Sequence, residues 1–125
     1  GLKVVPLVGP SSILLAVMAS GFNGQSFAFH GYLPIDGGAR SKRLKQLESR
    51  SREEHQTQLF IEPPYRNAKL FADILSACSP KTRLCVAAGI TTEQEWICTR
   101  SLKAWKQTGF PDLGKTPAIF LIYAG

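Results

Sequence analysis

A chain of 125 residues suits one domain and can bury roughly two-thirds of the surface its unfolded form exposes. Its 44% hydrophobic and 19% charged residues belong to a globular fold rather than a disordered chain. No apolar run reaches the roughly 20 residues that cross a bilayer, and the start has no signal-peptide pattern. The formal charge of +6 favours an acidic partner.

The first residues, Gly1-Leu2-Lys3-Val4-Val5, read as the middle of an element, so the chain reads as a piece of a longer protein. Lys3 to Leu7 forms a short strand that breaks at Gly9-Pro10. Ser12 to Ser20 then reads as a helix, with Ile13, Leu14, Val17 and Met18 apolar and Gly21 as its stop. A strand followed by Gly-Pro-Ser-Ser leaves helix N–H groups aimed outward at a strand end, a place where α/β proteins hold ligands. Ser11 or Ser12 can equally be a plain helix cap.

Ser26 to Gly31 alternates around Phe27 and Phe29 as a strand, and Leu33 to Gly38 is a loop. Ala39 to about Arg50 is a basic helix with Leu44 and Leu47 turned inward. Between Arg40 and Arg52 stand Arg40, Lys42, Arg43, Lys45, Arg50 and Arg52 against Glu48 alone. This is either a solvated face or a phosphate-meeting patch. Thr57 to Ile61 is an apolar strand, ended by Pro63-Pro64. Asn67 caps a helix running to Cys78, with Leu70, Phe71, Ile74 and Leu75 at helical spacing.

Arg83 to Ala88 is a buried strand, Glu95 to Arg100 its hairpin return, and Leu102 to Gln107 a short helix anchored by Trp105. Pro117 to Tyr123 closes the chain as a strand. The fold class is therefore α/β: a mixed five- to six-stranded sheet flanked by about four helices, with parallel pairing early and an antiparallel hairpin late. Cys78, Cys85 and Cys98 form no Cys-x-x-Cys pair, and His30 and His55 lie at no ligand spacing from them, so no metal is expected. Unclustered cysteines suit a reducing, cytoplasmic setting. Tyr32, Trp105 and His30 read as structural residues, and Glu62 with Arg66 as a local ion pair.

Four collinear blocks carry a resemblance. Val5-Pro6-Leu7-Val8-Gly9-Pro10-Ser11-Ser12 is similar to the V-P-x-x-G-P-S-A turn of the tetrapyrrole (corrin/porphyrin) methylase superfamily. Phe29-His30-Gly31-Tyr32-Leu33-Pro34 with Gly38 to Leu44, Phe60 to Arg66, and Pro117 to Ile122 resemble further blocks, nearest to the branch that methylates a cytidine ribose of small-subunit ribosomal RNA. The resemblance covers only that family's C-terminal domain, over residues 1–125. It implies half of a two-domain, S-adenosyl-L-methionine-dependent methyltransferase, with the cofactor in the cleft between domains. On that pattern the fragment alone does not catalyse.

Carried over by residue, the cofactor contacts fall on Ser11, Ser12, Glu62, Gly89, Ile90, Thr91, Pro117 and Ala118. The basic run itself, rather than the resemblance, supplies the candidate substrate contacts Arg40, Lys42, Arg43 and Lys45, which would meet phosphates of RNA or carboxylates of a tetrapyrrole. Partners implied are the N-terminal domain, a second copy in a homodimer, and ribosomal RNA or the small subunit, with no membrane. Glu62, Glu93 and His30 are candidate bases, and none is assigned as catalytic. The loop Ile90-Thr91-Thr92-Glu93-Gln94-Glu95 departs from the RNA branch, which carries Thr-Lys and Glu-Glu there, and is closer to the porphyrin-methylating members. A tetrapyrrole acceptor is thus the alternative, and a non-catalytic basic binding or dimerisation module is the alternative from another class.

Overall fold

Alternation of apolar side chains gives this chain a two-sided sheet, and each face needs helical cover. The computed structural model describes residues 10–125. Their order is α1 (Pro10–Ser20), β1 (Phe27–Tyr32), α2 (Gly37–Glu54), β2 (Thr57–Ile61), α3 (Asn67–Ala77), β3 (Arg83–Ala88), β4 (Trp96–Ser101), α4 (Leu102–Thr108) and β5 (Ala118–Tyr123). The strand expected at Lys3 to Leu7, and Gly9 of the following turn, lie outside the described residues.

The five strands lie in the order β1-β2-β5-β3-β4. β1 and β2 are parallel, with α2 as their crossover, while β2–β5, β5–β3 and β3–β4 are antiparallel. β5 shows how one strand serves two layers. Phe120 and Ile122 join Leu44, Leu47, Leu70, Ile74 and Trp105 beneath α2, α3 and α4. Ile119 and Leu121 join Ala16 and Val17 of α1 on the opposite face. Trp105 is fully buried, and its indole N–H donates to the Leu84 carbonyl at 2.9 Å. The packing role read for it therefore holds, with its polar atom satisfied.

α2 starts where Asp36 accepts from the Ala39 N–H at 3.0 Å and ends at His55, whose φ is 53°. It outruns the expected stop near Arg50 by one turn, along which Arg50 pairs with Glu54 at 3.6 Å. α3 corrects another expectation. The three-residue 3-10 turn Pro64–Arg66 leads straight into it, so Asn67 already has helical angles (φ −58°, ψ −42°) and cannot cap. Its N–H goes to the Pro64 carbonyl, and no side chain caps α3.

Candidate functional site

Strand directions gather the ends of β1, β2 and β3 and the starts of β4 and β5 at one edge of the sheet. Ile61 pairs with Ile119, and Ala88 pairs with both Ala118 and Trp96. Glu62, Gly89 and Pro117 therefore sit side by side, each one residue beyond its strand. The Gly89 N–H donates to the Pro117 carbonyl at 2.9 Å. Gly89 has φ 59°, and a Cβ there would meet the Thr92 hydroxyl at 2.8 Å and the Gln94 carbonyl at 3.0 Å. Only glycine fits this turn without displacement.

α1 points its N-terminal end at the same edge. Its last turn is tied to the middle of β4, where Thr99 donates to the Ser20 carbonyl at 3.1 Å, and just beyond it Phe22 stacks on Tyr123, at the far end of β5, at 5.6 Å. From there the helix runs back along the sheet, and Ile13 packs against the cluster that Ala16 and Val17 form with Leu59, Ala87, Ile119 and Leu121. About 1.5 Å per residue brings Ser11 and Ser12 level with the strand ends. Ser11 is exposed and Ser12 half-buried.

Several groups at this edge already have partners. The Thr91 N–H donates to Glu95 at 2.8 Å, with Thr91 at φ 68°, and the Ile90 side chain packs with the α1 layer. Small residues (Gly89, Ala118), hydroxyls (Ser11, Ser12, Thr91) and carbonyls with a spare lone pair suit a neutral nucleoside, so the residues fit one.

Glu62 and Arg40 depart from the sequence reading. Arg40 is 2% exposed and Glu62 5% exposed. One guanidinium nitrogen of Arg40 binds the Glu62 carboxylate, another lies 3.3 Å from Asp73, and Nε donates to the Pro34 carbonyl at 2.7 Å. Arg40 is thus an internal tie between α2, α3 and the two loops at the site edge. It cannot meet a phosphate, because it sits on the inward stripe of α2 with Leu44 and Leu47. Nor does Glu62 pair with Arg66, whose guanidinium lies over the Tyr65 ring at 5.3 Å. Only the Glu62 backbone is left to face a ligand.

Lys42 and Lys45 are exposed and Arg43 is half-buried. Lys42, Lys45, Gln46, Ser49 and Arg50 line a shallow groove along α2, with Glu53 and Glu54 at its end. Arg43 reaches His30 Nδ1 at 3.4 Å, and His30 Nε2 lies 2.6 Å from the Gln58 carboxamide oxygen. Burial, with Arg43 and Arg50 adding to it, holds the His30 pKa below the usual 6.5. The neutral ring donates through Nε2 and accepts at Nδ1, a structural role as expected.

Tyr32 does not pack as expected. The β1–β2 register shifts between Phe29 and Tyr32, Gly31 takes φ 68°, and Tyr32 is 65% exposed at the site edge. Asp73, Tyr65 and Asn67 were not legible as site residues; nothing in their spacing separates Tyr65 and Asn67 from ordinary helix-start residues, or Asp73 from a polar residue within a helix. Among the described residues no group of His, Cys, Asp and Glu could hold a metal ion, and no helix is long and apolar enough to cross a membrane.

Known proteins share this fold. The solved structure of the methyltransferase CobJ matches 89% of this chain and 46% of its own, with TM-score 0.60 and 17% identity. The two share a fold. Uroporphyrin-III C-methyltransferase from Thermus thermophilus, solved with S-adenyl homocysteine, matches 97% of this chain and 52% of its own, with TM-score 0.51 and 18% identity. In sequence, ribosomal RNA small subunit methyltransferase I of Vibrio cholerae is 35% identical over 97 residues, 78% of this chain and 32% of that protein. Its namesake in Mesorhizobium japonicum is 33% identical over 104 residues, 83% of this chain and 34% of that protein. The chain spans about a third of the length of these curated relatives. No family model matches it.

Proposed function

We propose that this domain is the C-terminal half of an S-adenosyl-L-methionine-dependent methyltransferase. It forms one wall of the cleft that holds the cofactor, and the acceptor is a cytidine ribose hydroxyl of small-subunit ribosomal RNA. The observation that carries the reading is the convergence of Ser11, Ser12, Gly89, Thr91, Pro117 and Ala118 at one sheet edge. Those positions are scattered over more than 100 residues of sequence. Pro117 and Ala118 meet Gly89 because β5 lies beside β3, and α1 carries Ser11 and Ser12.

The cofactor supplies an electrophilic methyl group on a sulfonium. The chain's own residues bind and orient. Backbone at Gly89 and Ala118, with the hydroxyls of Ser11, Ser12 and Thr91, would hold the nucleoside in one pose. Positioning of this kind provides much of the acceleration in a bimolecular displacement. Arg40 keeps the Glu62 segment in place from behind. Lys42, Arg43 and Lys45 would meet RNA phosphates and set register without reading sequence. The methyl acceptor's base is not assigned to this half: Glu62 is held by Arg40, and His30 lies within the α2 layer.

The protein works in the cytoplasm as a homodimer together with its N-terminal domain. Leu14, Leu15 and Met18 of α1 and Phe27 and Phe29 of β1 are exposed, and register puts both phenylalanines on the α1 side of the sheet with Leu59. These residues favour a covering partner there.

The full-length protein, incubated with labelled cofactor and small ribosomal subunits, should label one cytidine ribose, located by nuclease digestion and mass spectrometry. Label on a uroporphyrinogen and none on RNA would establish the tetrapyrrole alternative instead. No binding of the cofactor at all would leave a non-catalytic module.

A further inference from the structure

A cavity of about 350 Å³ lies beside the site edge, between the start of α3 and the loop that leads into β5. Pro64, Tyr65 and Asn67 line one side, and Phe110, Asp112 and Leu113 line the other. Its size is at the lower end of small-ligand sites, suited to a single planar group. Asn67 is 2% exposed, and neither its carboxamide N–H₂ nor its carboxamide oxygen has a hydrogen-bond partner. Buried carboxamides are rarely left so, and each such group calls for an explanation. Tyr65, at the mouth, is 78% exposed.

The geometry points to a base-binding pocket: Asn67 reads the edge of one RNA nucleobase while Tyr65 stacks against its face. This rests on the RNA reading above and extends it to a second contact, apart from the basic helix. A carboxamide offers a donor and an acceptor side by side, which matches the paired N6–H and N7 of adenine. Exposed aromatic rings are the usual platforms for unstacked bases in single-stranded RNA. The exposed carboxylate of Asp112 disfavours a free phosphate or carboxylate and leaves a neutral base as the matching ligand. Reaching the amide requires the loop to yield, and Phe110 and Leu113 are only half-buried in it.

The test uses the full-length enzyme, with affinities measured for a small-subunit RNA fragment and for S-adenosylhomocysteine. Asn67→Leu should weaken RNA binding about tenfold, the effect of one bidentate base contact, and leave S-adenosylhomocysteine affinity unchanged. Tyr65→Ala should weaken RNA binding several-fold and Tyr65→Phe should not, because the ring is what stacks. Tyr65 is exposed, so its variants carry the test if Asn67→Leu fails to fold. Wild-type RNA affinity in Asn67→Leu and Tyr65→Ala would overturn the pocket and leave the RNA reading standing. Loss of S-adenosylhomocysteine affinity in Asn67→Leu would assign the cavity to the cofactor and overturn the proposal. No RNA binding by the wild-type enzyme would overturn both.

Discussion

Replacing Arg40 with methionine tests the internal tie most directly. Methionine keeps much of the stem's volume and deletes the charge. Asp73 retains a partner, because Lys69 Nζ lies 2.8 Å from it. Glu62 does not: among the described residues Arg40 is its one ion-pair partner, and the carboxylate is almost wholly buried. Stranding one member of a buried pair costs about 3–5 kcal/mol. The Pro34 carbonyl also loses its bond from Nε. Against a total stability of about 5–15 kcal/mol this is a large share. With a urea slope of about 2 kcal/mol per molar, the unfolding midpoint should fall by about 2 M. The double variant Arg40→Met, Glu62→Leu should recover most of the loss, since a buried pair is worth little more than well-packed apolar residues. A single-variant loss of about 1 kcal/mol or less, as for an exposed pair, would refute the reasoning. So would a double variant as unstable as the single one.

Other outcomes follow from the same geometry. In the full-length enzyme, Lys42→Ala and Lys45→Ala should each lower the slope of log affinity for single-stranded RNA against log salt by about 0.7 per lost phosphate contact, as read by a binding series across salt. Gly89→Ala should cost about 1–3 kcal/mol, from the positive φ and the 2.8 Å approach to Thr92, and should raise the cofactor dissociation constant measured by calorimetry. His30 titrates below its ordinary value when folded, so the unfolded chain takes up the proton first. Stability from His30 is complete above about pH 6.5 and is lost as the pH falls below it. Chemical denaturation at pH 7 and at pH 5.5 should show that loss, and His30→Gln should reduce it.

Much of the fold was legible because local signals agreed with one another. β2 and β3 begin and end where the short apolar runs and the flanking prolines place them. Gly21, at φ 78°, ends α1 as expected of a helix-stop glycine. The candidate cofactor positions came from the resemblance alone; of these, Glu62, Gly89, Pro117 and Ala118 lie side by side at one sheet edge. Arg40 was not legible. Its place in a run of cations suggested solvent, whereas helical phase puts it on the stripe of Leu44 and Leu47. Only the distant carboxylates of Glu62 and Asp73 make that burial tolerable, and pairings across 22 and 33 residues leave no local pattern. Tyr32 was misread because the irregularity at Gly31 turns its side chain out of the alternation. Asn67 reads as a cap in the sequence because a cap and the first residue of a helix look alike until the preceding turn is known.

At the rim opposite the candidate site, Arg83 lies over the rings of Phe22 and Tyr123 at 5.2 and 5.4 Å. Nearby, Asn23 binds the His55 carbonyl and Ser51 accepts from the Ala124 N–H. This rim is thus fastened independently of the Arg40 tie behind the candidate site. Two separate clasps let substitutions at the candidate-site edge vary while the opposite rim keeps α1, α2 and the sheet together.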